Sequence, residues 1–274
     1  MLAYETIRDG GEPIVALAGG AARHPDYLGD LAGVGGDGYQ LVVPHLRGVG
    51  RSAHLTPTSF WEQAADLDEL RRELHSDKLI IAGHSAGTRL ALAYAAQHPD
   101  RVAALILITP PATWLVPVPS DAETLIAPRR GDPVVDYALA VWEAGPAPVT
   151  GDDAADDALL TDWFRGAAPV SYASWGPVEQ AHAQVGTVSY RANRAYLSGV
   201  TPPDDLPARL GAVDAPVLVI AGGNDYSVGV APVLAVADLF PHGRAVTIPE
   251  CGHYPWVEQP DLFRTTVDEF LARR

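Results

Sequence analysis

The chain has 274 residues, 47% of them hydrophobic, with 34 acidic against 19 basic side chains and a formal net charge of −15. That balance excludes the basic footprint of a nucleic-acid binder and disfavours an anionic membrane surface. The length allows a substantial core, in one large domain or two small ones.

The N-terminal stretch MLAYETIRDGGEP lacks the charged start and apolar core of a signal peptide, and a cytoplasmic location is expected. Leu2–Ile7 and Pro13–Ala18 flank the turn-rich Asp9-Gly10-Gly11 and read as a hairpin. Tyr39–Val43 is the next strand, followed by the loop PHLRGVGRS. Phe60–His75 has helical spacing, with Leu67, Leu70 and Leu74 on one face. Lys78–Ala82 is a short apolar strand, and Thr88–Gln97 an Ala- and Leu-rich helix stopped by Pro99. Val102–Ile108, the strongest apolar run, is strand-sized rather than membrane-spanning and reads as a strand buried on both faces.

Alternation of strands and helices then lapses from about Pro110 to Pro207. Trp114, Trp142, Trp163 and Trp175 fall in this region, as does the stretch GPAPVTGDDAADD, whose Asp152, Asp153, Asp156 and Asp157 read as a surface loop. The pattern resumes with a strand at Ala215–Ala221, a helix around Val233–Phe240, a strand at Ala245–Ile248 and a last helix at Asp261–Ala272. No internal repeat is present. The simplest reading is one α/β sheet domain interrupted by a helical insertion. The single cysteine, Cys251, excludes an internal disulfide and a cysteine-based metal site, and reads as a small packed residue.

Gly83-His84-Ser85-Ala86-Gly87 fits G-x-S-x-G, with a strand before it and a helix after it. A serine on so sharp a turn projects its hydroxyl from the carboxyl edge of the sheet, and the helix start behind it offers N–H groups to an oxyanion. A nucleophilic serine needs a base, and the base an orienting acid, in the chain order Ser, Asp or Glu, His. Gly222-Gly223-Asn224-Asp225 follows one late strand and Glu250-Cys251-Gly252-His253 the next, so both loops leave the same sheet edge as Ser85. Alone, Asp225 could be a turn former and His253 a packed loop residue; together with Ser85 they form a triad in the required order. His84 adjoins Ser85, but its side chain is expected to point away. His24, His45 and His54 lie on early loops.

PHLRGVGRS, GHSAG, GGND and CGHYPWVEQP resemble motifs spaced along nearly the whole chain of the α/β-hydrolase-fold superfamily. The resemblance implies a mostly parallel sheet flanked by helices, with a core domain over 1–111 and 208–274 and a helical cap over 112–207. It also implies Ser85 as nucleophile, Asp225 as orienting acid and His253 as general base.

Three local features resemble the proline iminopeptidase group. Leu17–Leu28, LAGGAARHPDYL, is similar to its oxyanion segment, and LALAYAAQHPDRV to its post-nucleophile helix. Val141-Trp142-Glu143-Ala144-Gly145 is similar to a Trp–Glu–Gly motif in the cap. This likeness implies that Glu143 meets a substrate amine, although a glutamate on an amphipathic helix also reads as a solvated residue. Gly19 is expected at the substrate site, and Trp142, Trp163 and Trp175 either line an apolar pocket or hold a small helical layer together. The backbone amides of Gly20 and Ala86 are the expected oxyanion donors. The chain departs from the group at Ala18, Ala21 and Ala22, where the group has His, Pro and Gly, and at Ala86, where it has Trp.

The expected chemistry is two-step acyl transfer without metal or organic cofactor. The substrate is either a small ester or lactone, or an N-terminal proline peptide or amide. Cleavage of a carbon–carbon bond, biosynthetic acyl transfer or cyclisation on the same triad, and a non-catalytic binding protein are the alternatives. Nothing in the sequence fixes an oligomeric state.

Overall fold

Runs of Val, Ile, Leu and Ala too short for helices build the centre of the molecule. In the computed structural model, which describes residues 1–8, 10–200 and 202–274 and at Asp37 the backbone only, these runs form a seven-stranded sheet. Its strands are β1 (Tyr4–Ile7), β2 (Glu12–Leu17), β3 (Tyr39–Pro44), β4 (Leu79–His84), β5 (Val102–Ile108), β6 (Val217–Gly222) and β7 (Gly243–Ile248). They lie in the order β1-β3-β2-β4-β5-β6-β7, and every neighbouring pair except β1 with β3 is parallel.

The expected N-terminal hairpin does not form. β1 pairs antiparallel with β3, Tyr4 opposite Pro44 and Ile7 opposite Leu41, while β2 lies between β3 and β4. Strand β2 ends in four consecutive buried residues, Ile14–Leu17, and both its edges are taken by parallel partners. The half-exposed β1 is suited only to the rim. Of the expected turn, Asp9 lies outside the described residues.

Alternate residues of the strands feed two cores. Val15, Leu17, Ile81, Leu105 and Val219 pack against α1 (Ala64–Glu73) and α2 (Gly87–Gln97). Ile14, Ala16, Ile80, Ile106 and Ile220 join a second cluster with Phe263, Val267 and Phe270 near the C-terminus. This period of two, with both faces covered, is the pattern of a doubly wound parallel sheet.

Between β5 and β6 the chain leaves the sheet and forms α3 (Ala122–Ile126), α4 (Pro133–Ala144), α5 (Asp153–Ala167), α6 (Pro177–Ala183), α7 (Tyr190–Leu197) and α8 (Leu206–Leu210). Ile126, Val135, Ala138, Leu139 and Val170 build a small core here with Tyr226. The expected boundary at 207/208 falls inside α8, whose Leu206 and Leu210 pack with the sheet core, so the excursion ends before that helix. The acidic run is also not a loop. Asp152 caps α5 by accepting from the Ala155 amide at 2.9 Å, and the next acids occupy the helix's first turn, where the helix dipole favours them.

After β6 come α9 (Ala231–Ala235) and a 3₁₀ turn, then β7, α10 (Pro255–Glu258) and α11 (Pro260–Leu271), the helix that carries Phe263, Val267 and Phe270. Among the described residues no helix is long and apolar enough to cross a membrane.

Candidate active site

Ser85 follows the last residue of β4 and adopts φ +50°, in the left-handed region that side-chain-bearing residues rarely occupy. Its amide donates to Ile108 O at 2.9 Å, and its carbonyl accepts from Thr88 Oγ1 at 2.6 Å, which fixes the turn. A Cβ at Gly87 would stand 2.5 Å from Leu17 O, so only glycine lets α2 start this close to the end of β2.

The loop after β6 carries Asp225, fully buried, and the loop after β7 carries His253. His253 Nδ1 donates to Asp225 Oδ2 at 2.7 Å, while Asp225 Oδ1 accepts from the Ser227 amide at 2.8 Å. With Nδ1 carrying the proton, the neutral ring leaves Nε2 as an acceptor. Ser85 and His253 line one cavity of about 200 Å³, together with Gly20, Arg23, Trp142 and Trp163. No hydrogen bond joins Ser85 to the His253 ring among the described residues; bonds of this kind often tighten only when substrate is bound.

The segment after β2 supplies the other wall. Gly20 has φ +61°, and a Cβ there would meet Arg23 Cβ at 2.8 Å. The Gly19 amide is already committed, donating to Tyr27 Oη at 2.6 Å, whereas no bond from the Gly20 or Ala86 amide to another described residue is present. Gly19 is therefore a packing residue pressed against Ser85 Cβ, not a cavity wall.

His84, expected to point away from Ser85, bonds Tyr27 and the His253 backbone instead. Its Nε2 lies 3.0 Å from His253 O, which can only accept, so Nε2 bears the proton and Nδ1 accepts from Tyr27 Oη at 2.7 Å. A relay thus runs from Gly19 N–H through the Tyr27 hydroxyl and the His84 ring to the His253 carbonyl. Burial and the neighbouring His253 ring hold the His84 pKa well below the ordinary histidine value, which keeps this ring neutral. Burial likewise pushes the Tyr27 hydroxyl up.

The wall from the excursion differs from expectation. Trp142 and Trp163 line the cavity, their ring centroids 5.6 Å apart. Glu143, the next residue on α4, is exposed and outside the lining, because adjacent helical residues point about 100° apart. Trp175 is also outside, packed on Tyr172 at a centroid distance of 5.5 Å. Cys251 is buried, and burial raises its thiol pKa.

Sequence reasoning missed Arg23, Tyr27, Tyr254 and Glu258. Glu258 accepts from Ala173 N at 2.7 Å and Gly252 N at 2.9 Å, tying the excursion to the loop of His253, and burial lifts its pKa to about 7. The one available signal for Arg23 was a lone charge in the otherwise small and apolar run LAGGAAR.

Residues 13–140 match a family model described as alpha/beta hydrolase fold. The chain is 29% identical over 219 residues to a Bacillus subtilis protein named as a putative 2-succinyl-6-hydroxy-2,4-cyclohexadiene-1-carboxylate synthase, covering 77% of this chain and 72% of the other. It is 35% identical to the proline iminopeptidase of Neisseria gonorrhoeae, but over only 102 residues, or 35% of this chain and 32% of that one. A thermophilic esterase from Thermogutta terrifontis superposes with a TM-score of 0.70 at 24% identity, over 99% of this chain and 93% of that one. Sheet order, strand-edge loops and these matches give the chain the α/β-hydrolase fold. It is similar over about a third of its length to a proline iminopeptidase, and in overall fold to an esterase.

Proposed function

We propose that the chain is a cofactor-independent serine hydrolase acting on small carboxylic esters, with Ser85 as nucleophile, His253 as general base and Asp225 as orienting acid. The observation that carries this reading is the buried Asp225–His253 pair, 2.7 Å apart, opening onto the cavity that Ser85 also lines. His253 Nε2 takes the Ser85 proton as Oγ attacks the ester carbonyl. The Gly20 and Ala86 amides receive the oxyanion, and losing one such donor typically costs about 2.7–4 kcal/mol. The tetrahedral intermediate collapses as His253 protonates the leaving alcohol, and water then releases the acyl group by the same base. Asp225 holds the ring in its working tautomer and stabilises its positive charge.

The ester is favoured over an N-terminal proline amide because Glu143, the residue implied for an amine, faces solvent. The likeness to the Bacillus subtilis synthase favours a second reading, a synthase activity on the same residues. A fluorophosphonate probe and p-nitrophenyl acetate, with Ser85→Ala as control, test the proposal. Labelling and turnover that both vanish in Ser85→Ala are expected. A wild-type protein that neither labels nor hydrolyses the ester overturns it, and labelling without hydrolysis of any ester selects the second reading. Proline p-nitroanilide is expected to be ignored.

A further inference from the structure

Arg23 is a buried cation without a carboxylate. Its residue is 7% exposed, yet among the described residues no Asp or Glu lies within 4.0 Å of it, in a chain with 34 acidic side chains. Its guanidinium stands 4.3 Å from the Tyr27 ring centroid, donates to Val185 O and reaches Tyr254 Oη at 3.5 Å. These contacts use two of the five N–H donors an arginine offers. An uncompensated buried charge is costly, and a protein this rich in carboxylates had partners to spare. Asp225 and Glu258 are close enough for their charge to be felt at Tyr254, but both are spent elsewhere, on His253 and on backbone amides.

The position of the cation gives it a use. Arg23 lines the same cavity as Ser85, and its amide donates to Gly19 O at 3.0 Å, so it sits on the short loop that carries the Gly20 amide. The rest of the lining named above is aromatic, small or hydroxylated, with no carboxylate among it.

Resting on the hydrolase reading, we propose that Arg23 binds a carboxylate on the substrate's acyl side, so that the substrate class is the short half-ester of a dicarboxylic acid. Guanidinium and carboxylate match in geometry, and in a site that excludes water their pairing is worth far more than at a surface. A cavity of about 200 Å³ limits the acid to a short chain. The neutral Tyr27, His84 and Tyr254 around the cation leave it as the local positive charge that an anion would meet.

The test compares monomethyl succinate and monomethyl glutarate with methyl butyrate by pH-stat on the wild-type protein. A kcat/KM for a half-ester at least about tenfold above that of the neutral ester is expected, as for one charged hydrogen bond. Arg23→Gln is expected to lower this ratio about tenfold or more, and Arg23→Lys to restore part of it. Because Arg23 also packs on Tyr27, the same ligands are titrated calorimetrically into Ser85→Ala protein with Arg23 intact, where heat of binding for the half-esters and none for methyl butyrate is expected. Turnover of neutral esters with labelled Ser85 but no preference for half-esters overturns the role of Arg23 and leaves the hydrolase reading standing. Binding of half-esters without turnover of any ester does the reverse. An unchanged ratio in Arg23→Gln makes the cation a packing residue and overturns the proposal.

Discussion

Tyr27 shows how much of the site hangs on one hydroxyl. It accepts from the Gly19 amide and donates to the neutral His84 ring, inside a region with no water-facing alternative. Tyr27→Phe leaves a buried donor and a buried acceptor unsatisfied, at about 1–3 kcal/mol for such a loss. We expect a drop of about 2 kcal/mol in urea-unfolding stability and a fall in kcat, since this relay ties the loop of Gly20 to the carbonyl of His253. An unchanged kcat in folded Tyr27→Phe would separate the relay from catalysis. The pairing of Asp225 with His253 was legible in the sequence because each lies on a loop that follows a late strand and their order follows Ser85. Arg23 and Tyr27 were not, because what marks them is a partner, absent for one and shared for the other, and partners are a property of the folded chain. Glu143 misled for a related reason: a motif names two adjacent residues, but a helix turns only one of them to the cavity.

At the scale of elements, the contact that places Ser85 is the approach of α2 to the end of β2. Leu17 pairs with Gly83 in the sheet, and Gly87 lets the helix begin against the Leu17 carbonyl. Gly87→Ala forces a Cβ to within 2.5 Å of that oxygen, and overpacking of this kind costs about 1–3 kcal/mol. Since β2 leads directly into the Gly20 loop, relief of the clash moves the oxyanion donors away from Ser85. We expect esterase kcat/KM to fall by more than the thermal stability alone explains, and a variant with wild-type kinetics would show that the two elements separate without consequence. Elements of this kind were readable from the apolar runs, whereas strand order was not. The hairpin expectation failed because proximity in sequence favours β1 with β2, while burial of β2 on both faces demands two inner neighbours and leaves β1 for the rim next to β3.

Taken across the molecule, the half-buried His182 and Glu258 and the buried His84 and His45 shape how stability responds to mild acid. His182 donates from Nε2 to Tyr27 O at 2.8 Å and accepts from Tyr172 Oη at 2.7 Å, and burial lowers its pKa from 6.5 to about 4. A depressed histidine contributes stability above pH 6.5 and loses it as pH falls toward 4. His84 and His45, whose pKa values burial also lowers, act in the same direction. Glu258 runs the other way: burial raises it from 4.5 to about 7, so its contribution is full below pH 4.5 and is lost as pH rises through 7. His182 and Glu258 shift in opposite directions, so between pH 5 and 6.5 they work against each other, while His84 and His45 remain. The wild-type protein should therefore lose stability on acidification across that range, each uncompensated proton giving a limiting slope of about 1.4 kcal/mol per pH unit. His182→Gln, which can keep a side-chain donor toward the Tyr27 carbonyl, removes one of the depressed histidines and should flatten the dependence. Glu258→Gln removes the opposing carboxyl and should steepen it. Urea denaturation at pH 5.0, 5.5, 6.0 and 6.5 on the three proteins measures these slopes, and three parallel lines would mean that neither His182 nor Glu258 titrates between folded and unfolded chain as the buried site requires.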